Sequence, residues 1–498
     1  MQDHAHPASA KPGRALALFI AGSAALRLIF GATTGLGIDE TYMVAIGRRW
    51  EWSYFDHPPL AWWLAHAASL LAGSEADWIV RTPFIALFAL STWLMFELTS
   101  LLFGQSAGLI AALALNAAPV LGVTTGTWVL PDGPLDAALL AGALCLARVL
   151  LIPGANPALW LLAGLFGGLA LLSKLHGVFL FAGAGLFLLT SAQRRRWLAT
   201  PWPWLGMLVA TGVASPAIVW NAQHQWASIA FQGARASAHV FRPWMPLIAL
   251  AGQAAFLAPW IWAPLVFATA MDVRKGPADP AAWLLICLAI GPIALFTLTP
   301  AWSDQRPYFH WAAPGYLMLF PLLGRWFTPG FDHGSARIRT WLRASLVFVA
   351  AAVAGMIALA QFPMISAIAG LKSDPLAEMT DWTGVAPYVR AQETATGTKF
   401  FVVARRWYEA AKIDHALAGA SDVVCIGEDC RGYDFLAPRD SHAGESALIF
   451  VPENALAALS PIERRFSAIA PLPDLTIARG PLVTIRLKVF RGENYLPR

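Results

Sequence analysis

The sequence predicts a polytopic α-helical membrane protein, with about 11 transmembrane helices, that closes in a small α/β domain outside the membrane. Three observations carry this expectation. Of 498 residues, 57% are hydrophobic and 13% charged, against ~25% charged in an ordinary soluble chain. The apolar residues fall into runs that approach the ~20-residue length of a membrane-crossing helix. From about Gln361 the composition turns to soluble-domain charge density, with short strand-like runs. A soluble enzyme is thereby excluded, and the 23 Trp and 28 Phe suit the aromatic belts of a membrane protein. The net charge of +5 is confined to short loops without a long basic tract, so it reads as topology and no nucleic-acid partner is expected.

The first apolar run follows Arg14 and spans Ala15 to Ile29. A cleaved signal peptide is its rival reading, but no A-x-A-like site follows cleanly, so a spanning helix is preferred. The expected spans are roughly 15–35, 78–103, 107–125, 133–152, 157–173, 175–192, 202–221, 244–270, 281–300, 312–328 and 342–362. Lys11, Arg14, Arg148, Arg194 to Arg196, Arg274, Lys275, Arg325, Arg337, Arg339 and Arg343 gather on one side, which the positive-inside rule makes cytoplasmic. Loops 36–77, 126–132, 173–176, 222–243 and 301–311, and the tail, then share the opposite, outer side.

Residues 1–362 are thus read as the transmembrane module and 363–498 as a periplasmic α/β domain, with strand-like runs at 400–403, 423–426, 448–451 and 482–485 and a helix at 407–418. Cys145 and Cys287 are packing residues inside spans. Cys425 and Cys430, in C-I-G-E-D-C, either bridge in an oxidising compartment or remain two thiols.

The window Gly37 to Pro59 is the polar anomaly between two apolar segments. It holds Asp39, Glu40, Asp56 and His57 among Tyr42, Trp50, Trp52, Tyr54 and Phe55, and two interfacial helices are expected at about 40–52 and 59–72. Each aspartate precedes one helix, so the plain reading is two N-caps. The competing reading is an active-site loop at the membrane surface. In P-D-G-P, Asp132 either caps the next span or serves the site, because ionisable groups at membrane edges are functional candidates. Lys174 and His176 occupy the turn between spans five and six, where Lys174 either snorkels or binds the phosphate of a lipid-linked substrate. Arg235, His239 and Arg242 in one later loop are candidate anion binders, and the last loop adds Asp304, Arg306, His310 and Trp311.

Carboxylates in the first loop and cations in the later ones suit group transfer from an anionic lipid carrier. A carboxylate base takes a proton from an acceptor hydroxyl, and cations stabilise the departing phosphate. A divalent ion at Asp56, His57 or His239 is the alternative cofactor reading, without a tight ligand spacing to support it.

The ordered stretches D-E-T-Y (39–42), Y-F-D-H-P-P-L (54–60), P-D-G-P-L (131–135), G-L-A-L-L-S-K (168–174), W-N-A-Q-H-Q-W (220–226) and H-W-A-A-P (310–314) resemble the GT-C membrane glycosyltransferases, in the branch of lipid A aminoarabinose transferases and protein O-mannosyltransferases. The resemblance implies a polyprenyl-phosphate-linked sugar donor, inversion at the anomeric carbon, and a lipid, glycan or protein acceptor. It implies Asp39 as base or acceptor-orienting carboxylate, Asp56 as the second acidic residue, Lys174 as carrier-phosphate contact and His239 near a metal-binding position. His57 stands where the aminoarabinose branch has Lys. Glu40, Tyr42, Asp132, His176, Arg235, Arg242, Arg306 and His310 complete the expected substrate contacts. The rival functions are a lipid-linked sugar flippase, a membrane phosphatase or ligase acting on the same carriers, and a non-catalytic assembly subunit. A flippase is expected to show paired half-sequences, and no internal repeat stands out.

Overall fold

A computed structural model describes residues 12–234, 240–303, 306–436 and 439–497. Among these, six helices are long and apolar enough to cross a membrane: Gly13–Thr33, Asp77–Phe103, Asp132–Leu151, Trp202–Gln223, Pro280–Ala301 and Ala336–Gln361. A seventh crossing results if Met245–Leu257 and Pro259–Val273 are one span bent by 112°. The break has a local cause, since Ala258 adopts φ +72° and Pro259 brings no amide hydrogen to continue the helical ladder.

The four other expected spans are also helical but shorter or broken. Gln105–Ala117 gives way to a π-helical turn at Val120–Thr125 after Pro119, and Leu159–Ser173 and Leu175–Thr190 flank Lys174. The segment expected at 312–328 divides into Phe309–Ala312, Ala313–Leu317 and Phe320–Asp332, with prolines at the starts of the last two.

The chain forms two units. The first comprises residues up to Ile29, His57–Leu60 and Thr82–Val353. Its centre is the Asp132–Leu151 helix, 83% buried in its most apolar window, packed through Leu135, Leu139 and Ala143 into one continuous apolar core. Arg27 carries a charge into this core. Arg27 donates from Nη2 and Nε to the carbonyl of Gly122, at 2.6 and 3.1 Å, and its guanidinium lies over Phe88. The π-helical turn thus supplies the acceptors an apolar medium lacks.

The second unit comprises Phe30–Asp56, Ala61–Arg81 and the chain from Ala354 onward. The expected first loop therefore folds with the tail rather than with the transmembrane module. Its helices run over Ile38–Gly47 and Leu60–Ala72. Arg48 ion-pairs with Glu75 and with Asp414, each at 2.6 Å. Lys412 donates to the Leu36 carbonyl at 2.7 Å, and burial holds its ammonium down to about 8.

The tail carries a five-stranded sheet in the order β2-β1-β3-β5-β4, with β1 at Phe401–Ala404, β2 at Val423–Cys425, β3 at Ala447–Pro452, β4 at Phe466–Arg479 and β5 at Val483–Tyr495. β1 is parallel to both β2 and β3, and β5 is antiparallel to β3 and β4. The helix Trp407–Leu417 connects β1 to β2, as the sequence predicts. β4 is not expected from the sequence, because it is a largely exposed edge strand holding Pro471 and Pro473 and shows no apolar alternation. Cys425 and Cys430 form a disulfide that closes the loop after β2.

Candidate active site

Two groups of functional side chains stand out, one in each unit. In the second unit, Gly37 rather than Asp39 is the N-cap of Ile38–Gly47, and Glu40 reaches back to the Gly37 amide at 2.9 Å. Asp39 is thereby freed from capping. Helical spacing puts it on the same face as Tyr42, three residues on. The Tyr42 hydroxyl donates to Asp56 at 3.2 Å and accepts from the Gly432 amide at 3.0 Å. Asp56 lies four residues before the start of the Leu60–Ala72 helix, and Arg431 lies 3.6 Å from its second oxygen.

The Arg431 guanidinium is seated 3.9 Å above the Trp407 ring, a cation–π contact that fixes its direction. Trp407 in turn meets Tyr42 edge-on at 5.2 Å. Gly432 allows this approach, because a Cβ there would come within 2.6 Å of the Tyr42 hydroxyl.

Burial pushes the Asp39 carboxyl up to about 6, with Asp56, Glu378 and Glu40 adding to the shift and Arg431 opposing it. Protein surrounds the group, yet the residue keeps solvent exposure, so water tempers the shift. A carboxylate poised just below neutral pH, open to solvent and free of cap duty, suits a general base. Burial and the Asp56 charge push the Tyr42 hydroxyl well above its ordinary range, so it stays a donor.

Glu40 is placed differently from the expected substrate contact. It is buried, and its two oxygens accept from Arg81 at 2.8 and 2.6 Å. Arg81 also donates to the carbonyls of Gly31, Thr34 and Gly35. Glu40 and Arg81 thus tie down the chain entering the helix that carries Asp39.

In the first unit, a cleft of about 280 Å³ is lined by His57, Lys174, His176 and Arg306 along with apolar side chains that include Phe179, Leu295 and Phe296. The combination of an apolar trough and cationic or imidazole groups fits an amphiphile with an anionic head. Lys174 is buried and doubly bonded to Asp132, at 2.9 and 3.1 Å. Asp132 lies in the first turn of its helix and pairs with Lys174 instead of capping. His176 stacks on Phe296 at 4.7 Å. His310 sits beside Trp311, and burial and the Lys174 charge push its imidazole down to about 4. At neutral pH it is therefore a neutral donor or acceptor and not the expected cation. Arg242 donates from its amide to Ala301 at 2.7 Å and from its guanidinium to Ser303, which shapes the wall containing Ser303.

Arg235 and His239 lie outside the described residues, as does Asp304. Asp56, one of the two expected metal ligands, faces Arg431, its expected partner His239 lies outside the described residues, and no group of three His, Cys, Asp or Glu among the described residues could hold a metal ion. Sequence reasoning missed Arg431, Trp407 and Glu378, which come from the tail. The one local signal was an arginine directly following the second cysteine of C-I-G-E-D-C-R.

Residues 56–220 match the family model of dolichyl-phosphate-mannose-protein mannosyltransferase. Among solved structures, ArnT from Cupriavidus metallidurans bound to undecaprenyl phosphate superposes with a TM-score of 0.66 at 16% identity, covering 96% of this chain and 98% of that one. The oligosaccharyltransferase AglB from Archaeoglobus fulgidus, in complex with an inhibitory peptide and a dolichol-phosphate, gives 0.52 at 11% identity over 96% and 74%. No curated protein sequence matches the chain. The helical module, the small sheet-bearing domain and the likeness to ArnT over nearly the whole of both chains give the chain the GT-C fold.

Proposed function

We propose that this protein is an inverting glycosyltransferase that moves a sugar from a polyprenyl-phosphate carrier to an acceptor hydroxyl or phosphate at the outer face of a bacterial inner membrane, on an envelope glycan or lipid A. The observation that carries the reading is the cleft of the first unit, which combines an apolar trough with Lys174, His57 and Arg306 in a fold shared with a protein bound to undecaprenyl phosphate.

In this reaction the acceptor O–H gives its proton to Asp39 as its oxygen attacks the anomeric carbon. The bond from that carbon to the phosphate oxygen breaks, and its electron pair leaves on the phosphate. A single displacement inverts the anomeric centre and needs no protein nucleophile. Lys174, partly neutralised by Asp132, and Arg306 take up the phosphate charge, while Arg431 keeps Asp39 ionised near neutral pH. The basic connections on the other side of the spans support the outward placement of the polar loops. The Cys425–Cys430 disulfide supports an oxidising compartment for the tail.

A protein hydroxyl is the second acceptor reading, favoured by the family match over 56–220. The test compares envelope glycans, lipids and glycoproteins of a deletion strain complemented with wild type or Asp39→Asn. Wild type is expected to restore one missing sugar, and Asp39→Asn to lower purified turnover by roughly 10²–10⁴-fold, the usual contribution of a general base. Equal restoration by both would remove Asp39 from that role.

A further inference from the structure

The second unit holds another concavity, with a volume of about 840 Å³, at one end of its sheet. It lies where β1 and β3 end. β1 is flanked on one side by β2, to which the helix Trp407–Leu417 connects it, and on the other by β3. Both neighbours are parallel to it, so the strand order reverses here, and open α/β sheets bind ligands at such a reversal.

The chain leaving β1 contributes Arg405, Arg406, Tyr408 and Glu409, and Trp382 and Arg486 add a ring and a charge. Arg405 donates to one oxygen of Glu409 at 2.6 Å. Glu409 is 1% exposed, yet its other oxygen has no hydrogen-bond partner among the described residues, and neither does Nε of Arg405. Buried polar atoms left unmatched call for a completing group. The two unmatched atoms belong to one ion pair that lines the concavity, and a hydroxyl can serve either of them, since it donates to a carboxylate and accepts from a guanidinium. The Trp382 and Tyr408 rings suit the C–H face of a sugar. Arg406 and Arg486, with the start of the Trp407–Leu417 helix, where no side chain caps the amides, suit an anionic group.

We infer that this cleft is a binding site for an anionic saccharide, one bearing a phosphate or a carboxylate. Its hydroxyls engage Arg405 and Glu409, its ring packs on Trp382 and Tyr408, and its anion meets Arg406 and Arg486. Binding here does not require the transferase reading; under that reading, the site anchors the glycan of the acceptor.

The test uses the full-length protein in detergent, titrated with glucose 6-phosphate, galacturonate and glucose by calorimetry and saturation-transfer NMR. At least one anionic sugar is expected to bind roughly tenfold more tightly than glucose, and the stronger of the two identifies the anion. Arg406→Ala, and independently the surface change Arg486→Ala, are each expected to weaken it by about tenfold, while Arg306→Ala and Asp39→Asn leave it unchanged. Retained binding in Asp39→Asn with turnover lost separates this site from the catalytic proposal. The inference is overturned if neither anionic sugar binds, if both arginine variants bind as wild type does, or if Arg306→Ala abolishes binding, which moves the ligand to the cleft of the first unit.

Discussion

Replacing Arg431 by Gln removes the charge that opposes burial at Asp39 while keeping much of the side chain's size. Arg431 lies 3.6 Å from Asp56 and on Trp407, and it is the largest influence holding the Asp39 carboxyl down from the level that burial alone would set. An opposite charge nearby moves a carboxyl by ~1–3 pH units. With solvent reaching Asp39, the low end, about one unit, is expected. A general base works only when deprotonated, so activity is lost as pH falls through its pKa, and raising that pKa moves the acid limb upward.

From about 6 in the wild type, the limb is expected near 7 in Arg431→Gln. At pH 6 this lowers the ionised fraction from about one half to about one tenth, a roughly fivefold loss, whereas at pH 8.5 the loss is slight. The assay is kcat/KM between pH 5 and 9 for purified protein with a polyprenyl-phosphate-linked donor, and Arg431→Lys is expected to return the limb towards its original place. A variant whose rate drops by the same factor at every pH, with the limb unmoved, refutes the reasoning and makes Arg431 a substrate contact.

Three further outcomes follow from the buried pairs and the bridge. Lys174→Ala strands the Asp132 carboxylate and is expected to lower stability by about 3–5 kcal/mol; Lys174→Met combined with Asp132→Asn is expected to recover the melting temperature in detergent but not donor affinity. Glu40→Ala leaves Arg81 buried and unpaired, a loss of similar size, ~3–5 kcal/mol, read as a lower melting temperature together with lost turnover. Opening the Cys425–Cys430 bridge, by reductant or by Cys430→Ser, is expected to free the neighbouring Arg431 and raise the acid limb as Arg431→Gln does; an unchanged pH profile after reduction, verified by thiol counting, counts against it.

The membrane module was legible because apolar run length and loop charge are local properties, and all expected spans are helical. Their division was less so. Pro119, Ala258 with Pro259, Pro314 and Pro321 interrupt runs that composition alone joins. Asp39, Asp56, His57 and Lys174 were visible as polar residues in the wrong solvent. Their partners were not, because Arg431 and Trp407 come from a distant part of the chain where no periodicity marks them. Capping was the natural account of both aspartates, and it fails on particulars: Gly37 already caps the first helix with Glu40, and Asp56 turns to Tyr42 and Arg431. Glu40 shows the converse, a carboxylate beside the candidate base whose partner, Arg81, is hidden inside a spanning segment.

The contact between Tyr42 and the Gly432 amide joins residues 390 positions apart. At roughly 5–20 residues per second of synthesis, ~20–80 s separate the emergence of the two. During that interval the Asp39 helix has beside it neither Arg431 nor the other tail side chains of its unit, such as Glu378 and Trp407. A chain that ends before the disulfide loop would hold the spanning helices and the Asp39 helix without the arginine that sits on Trp407.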